Sequence, residues 1–379
     1  MKTSSTKTPV AKVSGLPKLR AKIAEQLKCR SGLKPATPPP DFPTQLRYEV
    51  ELVRHFQQIA EDDSAYDDAF QEARRQFFSA DRWPALRQFL QQHTGENGHF
   101  RHSVFWKILF EELRTAAALQ TRLKEEDKKP DPFQAYAAIY DAVIGRPCMD
   151  NFMKAYIRHF GKQIGGLSAK KILSLGCGTG IVEQFLLEKL DAQEENLLGI
   201  DISAGMIREA RKRIPARQQD LLTIDTEAEQ WDLVYSGLNV FHYLPFGKLE
   251  TAIQKTAALL EKGGYFLGDF ITPDHIRWYP NVIASQDNRV ISLRNPELIE
   301  VEGAMFQESE IFNLHRQDGE LLIHYAGKHR RFLPPMHRVR SYFEKYYREV
   351  RLFEAFSLQE LPEQADTCAS TRYVVLARK

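Results

Sequence analysis

Two hydrophobic periodicities divide the chain. From residue 46 to 116 apolar side chains recur at helical spacing: Leu46, Val50, Val53, Phe56 and Ala60, again over 66–78 and 83–90, then Phe105, Leu109, Leu113 and Ala116. No strand-like run interrupts them, so residues 44–130 are predicted to be all-helical, ending at the polar stretch 124–132. Two more helices are expected over 133–164. From Lys171 onward short apolar runs alternate with helical stretches, with strands expected near 171–175, 197–201, 215–219, 231–236 and 264–270. Such alternation implies a parallel, doubly wound α/β sheet that binds its ligand at the carboxyl ends of the strands. Beyond it the pattern changes. Residues 308–316 and 320–327, joined through Gln317-Asp318-Gly319, read as an antiparallel hairpin. A helix opened by Pro334-Pro335 and two strands, 350–356 and 370–377, would complete the sheet.

Three segments follow from this pattern. Residues 1–43 form a basic tail and linker: residues 1–36 carry nine Lys/Arg against one acid, Glu25, and the stiff linker Pro35–Pro43 closes the segment. Residues 44–130 form the helical region, and 131–379 the α/β domain.

Composition narrows the function classes modestly. The net charge of +2 argues neither for nor against nucleic acid. No run approaches the ~18 apolar residues of a membrane span, and no secretory leader is visible. The four cysteines, Cys29, Cys148, Cys177 and Cys368, are widely spaced and form no metal-binding pair. A reduced, cytoplasmic protein without a structural metal is expected.

The chemistry concentrates at Lys171–Gly180, KILSLGCGTG, and at GIDIS, Gly199–Ser203. A buried strand runs into Gly176, Gly178 and Gly180, and a helical pattern then starts at Ile181 and Val182. Glycines there let backbone N–H groups approach a ligand at a helix N-terminus. Asp201 ends the second strand, where an acid suits a ribose diol; the alternative is a cap for the next helix. A glycine loop alone would serve NAD, FAD or S-adenosylmethionine (SAM). The G-x-G-x-G spacing, the run Ser203, Gly205, Met206 and Ala210, and the third acid Asp220 point to SAM.

Together these residues resemble the class I SAM-dependent methyltransferases, most closely the ubiquinone/menaquinone-type and small-molecule enzymes, over roughly residues 136–379. The resemblance implies a Rossmann-like seven-stranded sheet with an antiparallel last strand, and a β-rich cap over the acceptor at about 275–333. It implies cofactor contacts from Tyr140, Gly176, Gly178, Gly180, Asp201, Ile202, Met206, Asp220, Leu221, Ser236 and Gly237. Met206 would pack on the adenine, Asp220 and the Leu221 N–H would meet its edge, and Ser236 and Gly237 would flank the sulfonium. One departure stands out: the family carries an acid two residues before the first glycine, and this chain has Ser174.

His242 is the histidine expected nearest the reacting atoms, as a base; the alternative is a histidine that caps the strand. The cap's basic cluster, Lys328, His329, Arg330, Arg331, His337, Arg338 and Arg340, is either a solvated face or a clamp in which Arg330 and Arg331 grip an anionic acceptor. His315, His324 and His329 lack metal-ligand spacing. No N-P-P-Y, D-P-P-Y or Pro-Cys motif follows the fourth strand, which disfavours nucleic acid. The reading is therefore methyl transfer to an O, N or activated C of a small metabolite. Its rivals are a catalytically silent SAM-binding partner protein and an RNA methyltransferase using the basic tail. The apolar stripes of the helical region would cover the active-site mouth or form a homodimer face. The acceptor molecule and atom are not written in the sequence.

Overall fold

The computed structural model describes residues 83–95, 110, 113–114, 133–134, 137–287, 289–317 and 319–379. The basic tail, the proline-rich linker and most of the expected helical region lie outside the described residues. Within that region one helix, Trp83–His93, is described; Trp83, Leu86 and Leu90 are buried at i, i+3, i+7 spacing. The chain divides into two compact units, residues 1–93 with 102–119, and residues 94–101 with 120–379.

The second unit is built on a seven-stranded sheet. Its strands are β1 (Ile172–Leu175), β2 (Leu197–Asp201), β3 (Ala216–Gln218), β4 (Trp231–Ser236), β5 (Leu260–Ile271), β10 (Glu349–Glu354) and β11 (Arg372–Arg378). Their order is β10-β11-β5-β4-β1-β2-β3, with β11 antiparallel to both neighbours and the other pairs parallel. This is the Rossmann-like seven-stranded sheet with an antiparallel last strand that the resemblance implied. β1 is buried at all four positions because it is central, flanked by β2 and β4 and covered on both faces. Chain order reverses between β1 and β4, and such a switch opens a crevice at the carboxyl ends of the strands.

Ahead of β1 a helical stretch runs over residues 137–163. It is interrupted by two π-helical segments, Asp141–Gly145 and Met149–Met153. Segments of this kind recur at functional sites because they re-aim side chains without ending the helix. Here the first segment is tied to the glycine loop. Asp141 accepts from the Thr179 hydroxyl at 2.5 Å and pairs with Arg213 at 2.6 Å.

The cap is larger than the one expected hairpin. It is a four-stranded antiparallel sheet of β6 (Val282–Ala284), β7 (Val290–Val301), β8 (Ala304–Gln317) and β9 (Glu320–Phe332), in chain order. Its two added strands come from the apolar run Val290–Leu293 and from the residues just before it. Pairing of β8 with β9 shifts register between Glu310 and Phe312, opposite Gly327 at φ +78°. A glycine tolerates that left-handed angle, and the extra residue resets which face each later β9 side chain meets. Cys148, Cys177 and Cys368 are free thiols. No helix among the described residues is long and apolar enough to cross a membrane.

Candidate active site

The crevice at the β1/β4 switch deepens into a cavity of about 950 Å³ that continues under the cap sheet. Its floor is the glycine loop. Gly176 has φ +66°, and a Cβ there would lie 2.4 Å from the Val240 side chain, so only glycine fits. Gly178 has φ +57°, and a Cβ there would meet no atom within 4 Å. Its open side belongs to the cavity, a space that a side chain would take from a ligand.

Asp201 stands at the tip of β2. One carboxylate oxygen accepts from the Gly178 N–H at 2.9 Å, the other from the Ser203 N–H at 2.8 Å. The cap of the following helix Ala204–Ala210 is Ser203, whose hydroxyl accepts from the Met206 N–H at 3.2 Å. Helix capping therefore does not explain Asp201. Its carboxylate orders the loop and, with more than one lone-pair direction per oxygen, still lines the cavity. Asp220 takes the Leu222 N–H at 2.8 Å through one oxygen and lines the same cavity. Tyr140, Ile202, Met206, Leu221 and Gly237 also line it. These residues present carboxylates, backbone amides and apolar faces along one wall, a donor and acceptor set that fits the ribose, adenine and sulfonium parts of SAM.

Four expected site residues sit elsewhere. Gly180 begins the helix Ile181–Lys189, packed against Ile214 and Ala210, and does not line the cavity. Ser236 turns its hydroxyl to the Leu175 carbonyl at 3.2 Å, tying β4 to β1. His242 is buried, with Nδ1 2.6 Å from the Phe332 carbonyl and Nε2 accepting the Ile271 N–H at 3.0 Å. Both nitrogens are spent on backbone, which makes it a neutral cross-link and not a base. Burial pushes its pKa down to about 3, helped by the charges of Arg331 and Arg372. Arg330 points to solvent, beside Glu308 and over the Phe306 ring.

Arg331, one residue on, faces the other way and lines the cavity at 4% exposure. It donates to the Gln307 side chain at 2.9 Å, and its guanidinium lies 4.7 Å from the Tyr279 ring centroid. Among the described residues no carboxylate pairs with it. Alternation along β9 alone separates these neighbours. Of the rest of the basic cluster, His329 is buried and also lines the cavity, whereas His337 pairs with Asp366 and Arg340 reaches the Pro362 carbonyl.

The structure adds residues that the motifs did not. Arg294, buried on β7, donates to Ser292 at 3.2 Å and lies 5.2 Å from the Tyr279 ring. Burial alone would raise the Tyr279 phenol; the Arg294 and Arg331 guanidiniums outweigh it and hold it below its ordinary value. Arg372 on β11 also lines the cavity and donates through one guanidinium nitrogen to both the buried Asp269 and Asn239. Asp269 in turn accepts the Leu238 N–H at 2.6 Å, holding the turn of positive φ at Leu238 and Asn239 beside the cavity. A lone charge inside an apolar run, as in VISLR and FLGDF, was the available signal for Arg294 and Asp269.

Comparison with known proteins agrees with this geometry. Residues 172–264 match the family model described as a methyltransferase domain. A malonyl-[acyl-carrier protein] O-methyltransferase of Priestia megaterium is 33% identical over 100 residues, covering 25% of this chain and 35% of the relative. A trans-aconitate 2-methyltransferase of Afipia carboxidovorans is 30% identical over 108 residues, covering 27% and 39%. The chain thus spans little more than a third of the length of these curated relatives. The crystal structure of a SAM-dependent methyltransferase from Clostridium acetobutylicum superimposes with a TM-score of 0.52 at 16% identity, covering 65% of this chain and 98% of that one. With the strand order, the glycine loop and Asp201 in their expected places, the chain carries a methyltransferase domain of the class I, SAM-dependent type.

Proposed function

We propose that this protein transfers a methyl group from SAM to a carboxylate of a small acidic acceptor. The observation that carries the reading is a single cavity lined both by the glycine loop with Asp201 and Asp220 and by the buried guanidinium of Arg331. That volume lies near the top of the range for small-molecule sites and leaves room for both reactants.

SAM supplies a methyl already activated by a positive sulfur. The protein's work is then alignment and exclusion of water. The loop 176–179 and Asp201 would seat the cofactor, with Met206 and Leu221 beside the adenine. Arg331, braced by Gln307 and stacked on Tyr279, would present its planar fork to a carboxylate. A carboxylate arrives deprotonated at neutral pH and needs no base, which accords with a His242 whose nitrogens are both occupied. The curated relatives bear on the same point, since malonyl and aconitate groups both derive from polycarboxylic acids.

The test is incubation with methyl-labelled SAM and a panel of mono-, di- and tricarboxylic acids. Label incorporated into a product that releases methanol on mild alkali is the expected result. A base-stable product would mean methylation at N, C or a hydroxyl. SAM binding without transfer to any acceptor would favour a silent SAM-binding protein.

A further inference from the structure

The helix Ile181–Lys189 buries an acid in its first turn. Glu183 is 1% exposed and lines the cavity beside the glycine loop. One carboxylate oxygen accepts the Ser174 hydroxyl at 2.5 Å. The other, Oε2, is buried without a hydrogen-bond partner. The charged and titratable groups around it are Asp201, Cys177, Tyr235 and Tyr156. None is a cation, and Asp201 adds repulsion. A buried carboxylate with an orphan oxygen and no counter-charge is costly unless a ligand completes it.

Given the SAM reading, on which this inference rests, the cofactor offers two cations. The sulfonium has no hydrogen to donate, whereas the α-ammonium has three. An acceptor that lacks a donor selects the ammonium. We propose that Glu183, held by Ser174, is the carboxylate that receives the α-ammonium group of SAM, so that the anion moves from the end of β1 onto the following helix. Ser174 stands where an acid was expected, and its short hydroxyl leaves room for the Glu183 head and supplies it one hydrogen bond.

This arrangement couples cofactor binding to a proton. Burial raises the free Glu183 carboxyl to about 7. Binding of the ammonium requires the ionised form, so below neutrality each cofactor bound displaces one proton from Glu183. For a group at about 7, cofactor affinity should fall about tenfold between pH 8 and pH 6.

The experiment is calorimetric binding of S-adenosylhomocysteine and of 5′-methylthioadenosine, which lacks the amino-acid moiety, from pH 6 to 8. Wild type should bind S-adenosylhomocysteine with the tenfold pH dependence and methylthioadenosine without it. Glu183→Gln should weaken S-adenosylhomocysteine about ten- to a hundredfold, as for loss of a charged hydrogen bond, abolish its pH dependence, and leave methylthioadenosine within about twofold. The double variant Ser174→Asp/Glu183→Gln, which returns the acid to β1, should recover part of the lost affinity. Equal loss for both ligands in Glu183→Gln would overturn the proposal, because Glu183 would then only shape the loop. So would an unchanged S-adenosylhomocysteine affinity. If wild type bound neither ligand, the SAM reading itself would fall.

Discussion

The Nδ1 atom of His242 lies 2.6 Å from the carbonyl oxygen of Phe332, joining the loop after β4 to the end of the cap sheet. The Nε2 atom of the same ring accepts the Ile271 N–H at the end of β5. One neutral imidazole thus fastens three segments around the cavity.

That contact predicts a pH-dependent stability. The folded pKa of His242, about 3, lies below its ordinary 6.5. Between those values the unfolded chain binds the extra proton, so stability rises with pH through the window and is lost as pH falls from 6.5 toward 3. The slope from this residue should approach about 1.4 kcal/mol per pH unit in the middle of the window. Denaturant titrations from pH 4 to 7 on wild type and His242→Gln check it; an equal slope in both would contradict it.

Asp201→Ala should weaken S-adenosylhomocysteine binding by about 1.5–3 kcal/mol, the worth of a hydrogen bond to a charged group. It should also loosen the Gly178 and Ser203 amides that the carboxylate now holds. Calorimetry with the nucleoside measures the affinity, and an unchanged value would mean that Asp201 serves the loop alone.

Arg331 and Arg330 should separate cleanly. Arg331→Ala should raise the acceptor KM by a factor corresponding to about 1.5–3 kcal/mol. Arg331→Lys should recover only part, since Lys lacks the planar fork. Arg330→Ala, on the solvent side beside Glu308, should stay within about 0.5 kcal/mol in stability and leave kinetics alone. Steady-state kinetics on the three variants, with an acceptor identified from the carboxylate panel, decide the matter; equal effects at both arginines would refute the assignment of faces.

Arg372→Met should be among the most damaging single changes. It leaves Asp269 buried and unpaired, at a cost of about 3–5 kcal/mol. Asp269→Asn/Arg372→Met should be milder than the Arg372 variant alone, because the uncompensated charge is gone. Chemical denaturation of the two variants gives the comparison.

The local pattern of the sequence determined the α/β architecture and the glycine-loop part of the candidate site. β2 and β4 begin and end where their apolar runs do, at Leu197–Asp201 and Trp231–Ser236. Gly176, Gly178, Asp201 and Asp220 lie on the cavity as their motif required. These features are local: strand, turn and acid follow one another within a few residues, so spacing carries the geometry. The acceptor half was decided only by tertiary structure. Which arginine faces inward depends on the register of β9 against β8 and on the bulge at Gly327. A one-residue shift exchanges the two faces of a strand, and no run of neighbouring residues records that shift. His242 lost its expected role for the same reason, since its partners Ile271 and Phe332 come from distant strands. The exchange of an acid at position 174 for Glu183 is likewise a matter of packing. The two side chains are nine residues apart in sequence and meet only because the helix folds back over β1.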